Sequence, residues 1–232
     1  MLVDVYRYIA DPVHVVVFVV GLLSKDYAAQ RRALISGKAI APEPGEPDRG
    51  GTVYLCTADS NGMMVSLIQS NYLGFGAHVV VPGTGVSLQC RGAGFTLADN
   101  HPNCLAPGKR PYHTIIPGFL TRDGQPVGPF GVMGGHMQPQ GHVQLISNTL
   151  DYGMDPQAAL DAPRWYWAQG RRVHAEPRIP GHILAALAER GHEITTDDAV
   201  DLVGCGQAIW RLPAGGYAAG SEARADGCAL GY

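Results

Sequence analysis

Thr52 stands where two kinds of sequence meet. Residues 41–51 (APEPGEPDRGG) hold three prolines, three glycines and four charges, the composition of an exposed linker at which chains are cut. Residues 52–57 (TVYLCT) are β-branched and aromatic, as in a strand. A threonine hydroxyl is a poor nucleophile at its ordinary pKa and needs a base beside it. If the chain is cut before Thr52, the new α-amine, partly neutral near pH 7 to 8, can be that base. Gly51 lets the preceding carbonyl bend toward the hydroxyl for an N-to-O acyl shift. The plainer reading is a threonine that merely opens a strand.

Two further segments have chemical potential. Val132-Met133-Gly134-Gly135-His136 joins an expected strand to an expected helix. Without Cβ atoms, its N–H groups can approach a ligand closely, and near a helix N-terminus they form an oxyanion hole. A simple glycine turn would read the same. Gln69-Ser70-Asn71-Tyr72, followed by Gly74-Phe75-Gly76, closes a strand beside that of Thr52. Its polar side chains either line a pocket or satisfy their own backbone.

The elements that must position these groups are legible in outline. Residues 52–57 and 63–69 flank Asp59-Ser60-Asn61-Gly62, a hairpin with signals at both strands and the turn. Further strands are expected at 78–81, 86–89, 114–121, 128–133, 207–212 and 217–220. Helices are expected at 25–35, 140–152 and 181–190, the last stopped by Gly191. Strand hairpins, then helices, then strands predict an α+β layered domain rather than a doubly wound sheet.

Composition narrows the function classes. The 232 residues are 46% hydrophobic, enough for a core, and a net charge of −3 offers neither a nucleic-acid stripe nor a polybasic membrane patch. Five cysteines with no C-x-x-C pair read as free thiols in a reducing compartment, hence a cytoplasmic protein. The histidines show no ligand spacing, so no metal or other cofactor is expected. Residues 13–23 (VHVVVFVVGLL) are too few to span a bilayer and lack a clear cleavage motif; they read as a β-type segment that packs on something else, the alternative being a secretory signal core.

In order along the chain, Thr52-Val-Tyr-Leu, Gln69-Ser-Asn-Tyr-x-Gly-Phe-Gly, Pro82-Gly-Thr-Gly, Pro107-Gly-Lys-Arg-Pro, Met133-Gly-Gly and Asp226-Gly-Cys-Ala-Leu-Gly-Tyr resemble the small, catalytic subunit of γ-glutamyltransferases. The resemblance is closest to the branch of γ-glutamyltransferase-like proteins and glutaryl-cephalosporin acylases. It implies an N-terminal-nucleophile hydrolase fold, a four-layer αββα sandwich, here partial. Residues 1–51 resemble the tail of the large subunit, with 41–51 as its cleavable linker, and 52–232 the small-subunit domain. The implied chemistry is autocleavage at Gly51-Thr52, then attack of Thr52 on an amide, an acyl-Thr52 ester, and release to water or an amine. Ser70 falls on the hydroxyl residue that bonds the nucleophile, and Gly134 and Gly135 on the oxyanion glycines. Asn71, Tyr72, Arg91, His113 and Thr114 are the expected substrate-binding residues.

Departures from the family pattern bear on the substrate. Gly94 stands where glutathione-cleaving members carry an acidic residue that binds the α-amino group. His113-Thr114 replaces a serine pair, and Tyr72 an asparagine. An ammonium without its carboxylate is costly to bury, so a glutaryl-like acyl group suits the site better than γ-glutamyl. The resemblance also implies a large-subunit chain as partner, supplying a carboxylate-binding arginine and half of the sandwich. The rival reading is a non-catalytic fragment that only associates with such a chain.

Overall fold

The computed structural model describes residues 7–15, 17, 19–39, 51–196 and 202–232. The expected cleavable linker lies outside these residues except for Gly51, which opens the first strand. β1 (Gly51–Ala58) and β2 (Met64–Tyr72) pair antiparallel, with Leu55 opposite Leu67. Their turn is set by Asp59, whose Oδ1 accepts the N–H groups of Asn61 and Met63, each at 2.9 Å. β3 (Gly118–Arg122) and β4 (Gln125–Met133) form a second hairpin. Together with β8 (Cys205–Arg211) and β9 (Tyr217–Ser221) they make a four-stranded sheet in the order β3-β4-β8-β9.

The two sheets face each other, β1 lying over β4 and β8. On the far side of the four-stranded sheet pack α3 (Gln138–Leu150) and α4 (Pro156–Asp161). The core forms there from Phe130, Val132, Leu145, Ala159, Leu160, Ala208 and Trp210. Alternation along β4 serves both faces: Val132 meets α3 at Gly141, while Gly131 meets the Tyr54 ring of β1. Two sheets and one helical layer of the αββα architecture are thus in place.

Other expectations need correction. Residues 78–81 and 86–89 do not form strands: they make one isolated bridge, Val80 to Ser87, around Gly83 and Gly85, both at positive φ. The strand expected from 114 starts only at Gly118, beyond Pro117, whose missing N–H cannot join a ladder. Residues 13–23 are not a β segment. Where described they form a turn and then α1 (Val19–Leu22), with Val13, Val19, Val20 and Leu23 exposed. α2 (Lys25–Ala33) follows, capped by Ser24 Oγ accepting from the Tyr27 N–H at 3.1 Å.

A third sheet was not anticipated: β5 (Trp165–Gln169), β6 (Arg172–Ala175) and, parallel to β6, β7 (Glu193–Thr196). α5 (Gly181–Glu189) lies between the last two and stops at Gly191, φ +99°, as expected. A buried charge network ties this sheet to the central one. Glu222 accepts from Arg164 and from Arg224, each at 2.6 Å, and Arg224 reaches Glu176 at 2.6 Å. Burial alone would raise the Glu176 carboxyl, but Arg224 and the Arg164 N–H outweigh it and hold it below its ordinary value.

Candidate active site

Thr52 lies on the inner side of β1, in line with Tyr54. Its Oγ1 donates to Ser70 Oγ at 3.0 Å. A hydroxyl that gives up its proton in this way keeps its lone pairs for attack. The same Ser70 Oγ accepts the Tyr72 N–H at 2.9 Å, which fixes its position. The pairing explains why these groups converge. Gly51 stands opposite Tyr72 but Thr52 opposite Ser70, so Asn71 is the extra residue of a β-bulge facing the Gly51–Thr52 peptide. Tyr72 takes φ +80°, uncommon for an aromatic residue and a mark of imposed geometry.

Asn71 uses its carbonyl to accept the Cys90 N–H at 3.0 Å, bringing the turn Arg91–Gly94 against the end of β2. Arg91 is only 4% exposed. Its guanidinium lies over the Tyr72 ring, 5.2 Å from the centroid, and Nη1 donates to Thr114 Oγ1 at 3.1 Å. Burial pulls the Arg91 pKa below its ordinary value. His113 is exposed, its Nδ1 taking the Ile115 N–H at 3.2 Å. Its pKa is lowered by burial and by the Arg91 charge, which places the imidazole in the field of that guanidinium.

Gly134 (φ +137°) and Gly135 (φ +56°) end β4 and lead into the one-turn helix that opens α3. A methyl group at Gly134 would sit 3.1 Å from the Cα of Gly204, so the two backbones pack directly. Gly204 is held from below by Arg164, whose Nη1 donates to its carbonyl at 2.7 Å. The glycine pair joins the Arg91 cluster through Gln138, 0% exposed, whose Oε1 accepts the Ile116 N–H at 2.9 Å.

The structure therefore gathers Thr52, Ser70, Asn71, Tyr72, Arg91, Thr114 and, at the rim, His113 into one connected group. Gly134 and Gly135 lie at the end of the facing strand. Sequence reasoning passed over Tyr54, Gln138, Arg164 and Gly204. Gly131 between Phe130 and Val132 was a usable signal for Tyr54, since a glycine inside a strand marks a close approach. Burial pushes the Cys56 thiol, on the same inner side of β1, up to about 11, so it stays protonated and unreactive.

The Gamma-glutamyltranspeptidase family model matches residues 1–232. The glutathione hydrolase-like YwrD proenzyme of Bacillus subtilis is 37% identical over 231 residues, which cover 96% of this chain and 43% of that protein. The oxamate amidohydrolase proenzyme of Klebsiella pneumoniae is 35% identical, over 97% of this chain and 44% of its own length. The crystal structure of cephalosporin acylase from Bacillus halodurans superimposes with a TM-score of 0.90 at 55% identity, covering 97% of this chain and 41% of that one. The chain thus spans less than half the length of these relatives. With the match running from end to end, it belongs to the gamma-glutamyltranspeptidase family.

Proposed function

We propose that this chain carries the nucleophile side of an amide acyl hydrolase or transferase, with Thr52 freed by self-cleavage of the Gly51–Thr52 bond. The hydrogen bond from Thr52 Oγ1 to Ser70 Oγ, set opposite the bulge at that bond, carries the reading. Residues 1–51 are then the end of the large-subunit part and 52–232 the small, catalytic part. In processing, Thr52 Oγ1 attacks the Gly51 carbonyl, and hydrolysis of the resulting ester leaves Thr52 as an N-terminus. In turnover its α-amine takes the hydroxyl proton as Oγ1 attacks the substrate carbonyl. The proton passes to the departing amine, and the acyl-Thr52 ester is released to water or an acceptor amine. The Gly134–Gly135 backbone is the candidate oxyanion cradle. Two relatives are named proenzymes, which supports the cleavage step.

The acyl group is of the γ-glutamyl or glutaryl kind, with glutathione conjugates the less favoured end of that range because Gly94 brings no carboxylate for an ammonium. Cys56, Cys90, Cys104 and Cys228 are free thiols, in keeping with a cytoplasmic setting. One observation favours a complementary reading, that the site is complete only with a large-subunit chain. The outer side of the β1–β2 hairpin presents Val53, Leu55, Val65 and Leu67 to solvent. Intact-mass measurement decides the central point. Two fragments are expected, the second beginning at Thr52, and Thr52→Ala should give one uncut chain. A cut elsewhere, or a cut Thr52→Ala protein, would remove Thr52 from the role.

A further inference from the structure

Arg164 is buried, and most of what its guanidinium holds is backbone. Nη1 donates to the carbonyls of Val203 at 3.2 Å and Gly204 at 2.7 Å, and Nη2 to the Leu160 carbonyl at 3.1 Å. The ionic contact is from Nη2 to Glu222 Oε2 at 2.6 Å. That same oxygen accepts the Gly206 N–H at 2.9 Å, so both members of the pair grip the segment 203–206. Replacing a buried ion pair by apolar side chains of similar volume is often neutral or stabilising. Stability is therefore a weak reason for a pair placed here, and the backbone on which it closes is a stronger one.

What rests on that segment is the glycine pair. Gly204 takes φ +68°, and a Cβ on it would collide with the Met133 carbonyl and lie 3.2 Å from Met137 Cγ. A Cβ on Gly134 would in turn lie 3.1 Å from Gly204 Cα. Two glycine backbones are thus in contact, with no side chain between them to absorb a shift. Met133 also pairs with Cys205 where β4 ends, and the Gly134 carbonyl accepts the Met137 N–H at 2.9 Å. A rotation of the 203–205 backbone has to be taken up by Gly134 and Gly135, whose N–H directions follow from φ +137° and +56°.

We propose that Arg164 is a positioning residue for the Gly134–Gly135 backbone: by holding the Val203 and Gly204 carbonyls it fixes the surface on which the glycine pair rests. The proposal depends on the reading of that pair as the oxyanion cradle for Thr52. It makes a guanidinium that touches no substrate necessary for the donor geometry, which a functional site must hold within about 0.5 Å.

The test sets Arg164→Lys against Glu222→Gln in the purified chain. Lysine keeps a charge for Glu222 but has no fork with which to hold two carbonyls as well. Glutamine, its amide oxygen in the place of Oε2, keeps the Arg164 and Gly206 contacts and loses the one to Arg224. Hydrogen exchange read by mass spectrometry should rise about tenfold or more in the peptide 133–138 of Arg164→Lys, with β2 unchanged. Glu222→Gln should lower the melting temperature and leave that peptide protected. On glutaryl 4-nitroanilide, kcat per cut chain should fall about tenfold or more in Arg164→Lys at constant KM, the mark of an interaction made only in the transition state. Exchange that is unchanged at 133–138, or that rises equally along the chain, overturns the positioning. So does a Glu222→Gln protein that repeats the Arg164→Lys pattern. Exchange raised at that peptide alone, with kcat untouched, keeps the positioning and removes the oxyanion reading of the pair. In a chain that hydrolyses nothing, exchange decides alone. Should Arg164→Lys fail to fold, Gly204→Ala puts the same question with the charge network intact: a peptide 133–138 as protected as in the unaltered protein overturns the proposal.

Discussion

Gly94 is the residue at which the proposed acyl specificity is most directly testable. A Cβ there would find its nearest neighbour, the Tyr112 carbonyl, at 3.5 Å, an ordinary contact, so a side chain is admitted without strain. In the 3-10 turn Arg91–Gly94, positions three apart eclipse one another. Gly94→Asp therefore sets a carboxylate against Arg91, occupying the guanidinium and offering a partner to an ammonium. The kcat/KM ratio of γ-glutamyl to glutaryl 4-nitroanilide should rise by about 10-fold or more, since a well-placed charged hydrogen bond contributes roughly 1.5–3 kcal/mol. An unchanged ratio would show that neither group is read at this turn. Legibility at this scale was uneven. Thr52, Ser70 and the glycine pair stood out as candidates because linker, strand end and turn are all visible locally. Arg91 was reached only through the family resemblance, because an arginine in a loop looks solvated until Tyr72 and Thr114, from distant segments, are seen to close over it.

Among the elements, β1 and β4 fix where Thr52 stands, and their spacing depends on Gly131. A methyl group there would lie 2.6 Å from the Tyr54 ring. Tyr54 is itself fixed by a 2.8 Å hydrogen bond to Ser66. Gly131→Ala should push β1 outward, costing roughly 1–3 kcal/mol and slowing processing at Gly51–Thr52 more than it lowers helix content. Mass spectrometry of the fraction cut, beside circular dichroism, checks this. Helix α3 contributes a pH dependence. His142 is half-buried and packs on Phe130, its enclosed Nε2 without a partner, and desolvation drives its pKa down to about 4. The unfolded chain takes up the proton first, so this contribution is whole above about pH 6.5 and is lost as pH falls toward 4, at up to about 1.4 kcal/mol per pH unit. His142→Phe should flatten stability over that window in urea titrations. The β1–β2 and β3–β4 hairpins were readable because long alternating runs surround clear turn residues. β6 and β7, four residues each, carry too little pattern, and the 78–89 region is apolar but exposed, so its composition misled.

At the scale of the whole molecule, one sheet face is covered and the other is bare. The central sheet is sealed by α3 and α4, whereas Val53, Leu55, Val65 and Leu67 on the hairpin form a contiguous apolar surface across Leu55–Leu67. The chain alone should bind hydrophobic dyes and elute above its monomer size, and a large-subunit chain of the family should reverse both. A monodisperse monomer that processes itself and hydrolyses an anilide unaided would show the face to be harmless. Size-exclusion chromatography with and without that chain makes the comparison.

Asp11 accepts from the Arg110 backbone at 2.9 Å and from its guanidinium at 3.0 Å, across ninety-nine positions of sequence. In the uncut chain that contact closes a loop, and its two ends cannot drift apart whatever its strength. Once Gly51–Thr52 is severed, the same contact joins separate molecules, and its occupancy depends on dilution and on the protonation of one side chain. Arg110 holds the Asp11 carboxyl well below the usual carboxylate range. The junction is thus at full strength above about pH 4 and fails as pH falls below that. Acidified, diluted, processed protein should shed its N-terminal piece while uncut Thr52→Ala protein stays whole, and light scattering of the two would show it. If the proposed cleavage occurs, retention of the N-terminal piece becomes reversible, and a covalent event passes control of the assembly to concentration and acidity.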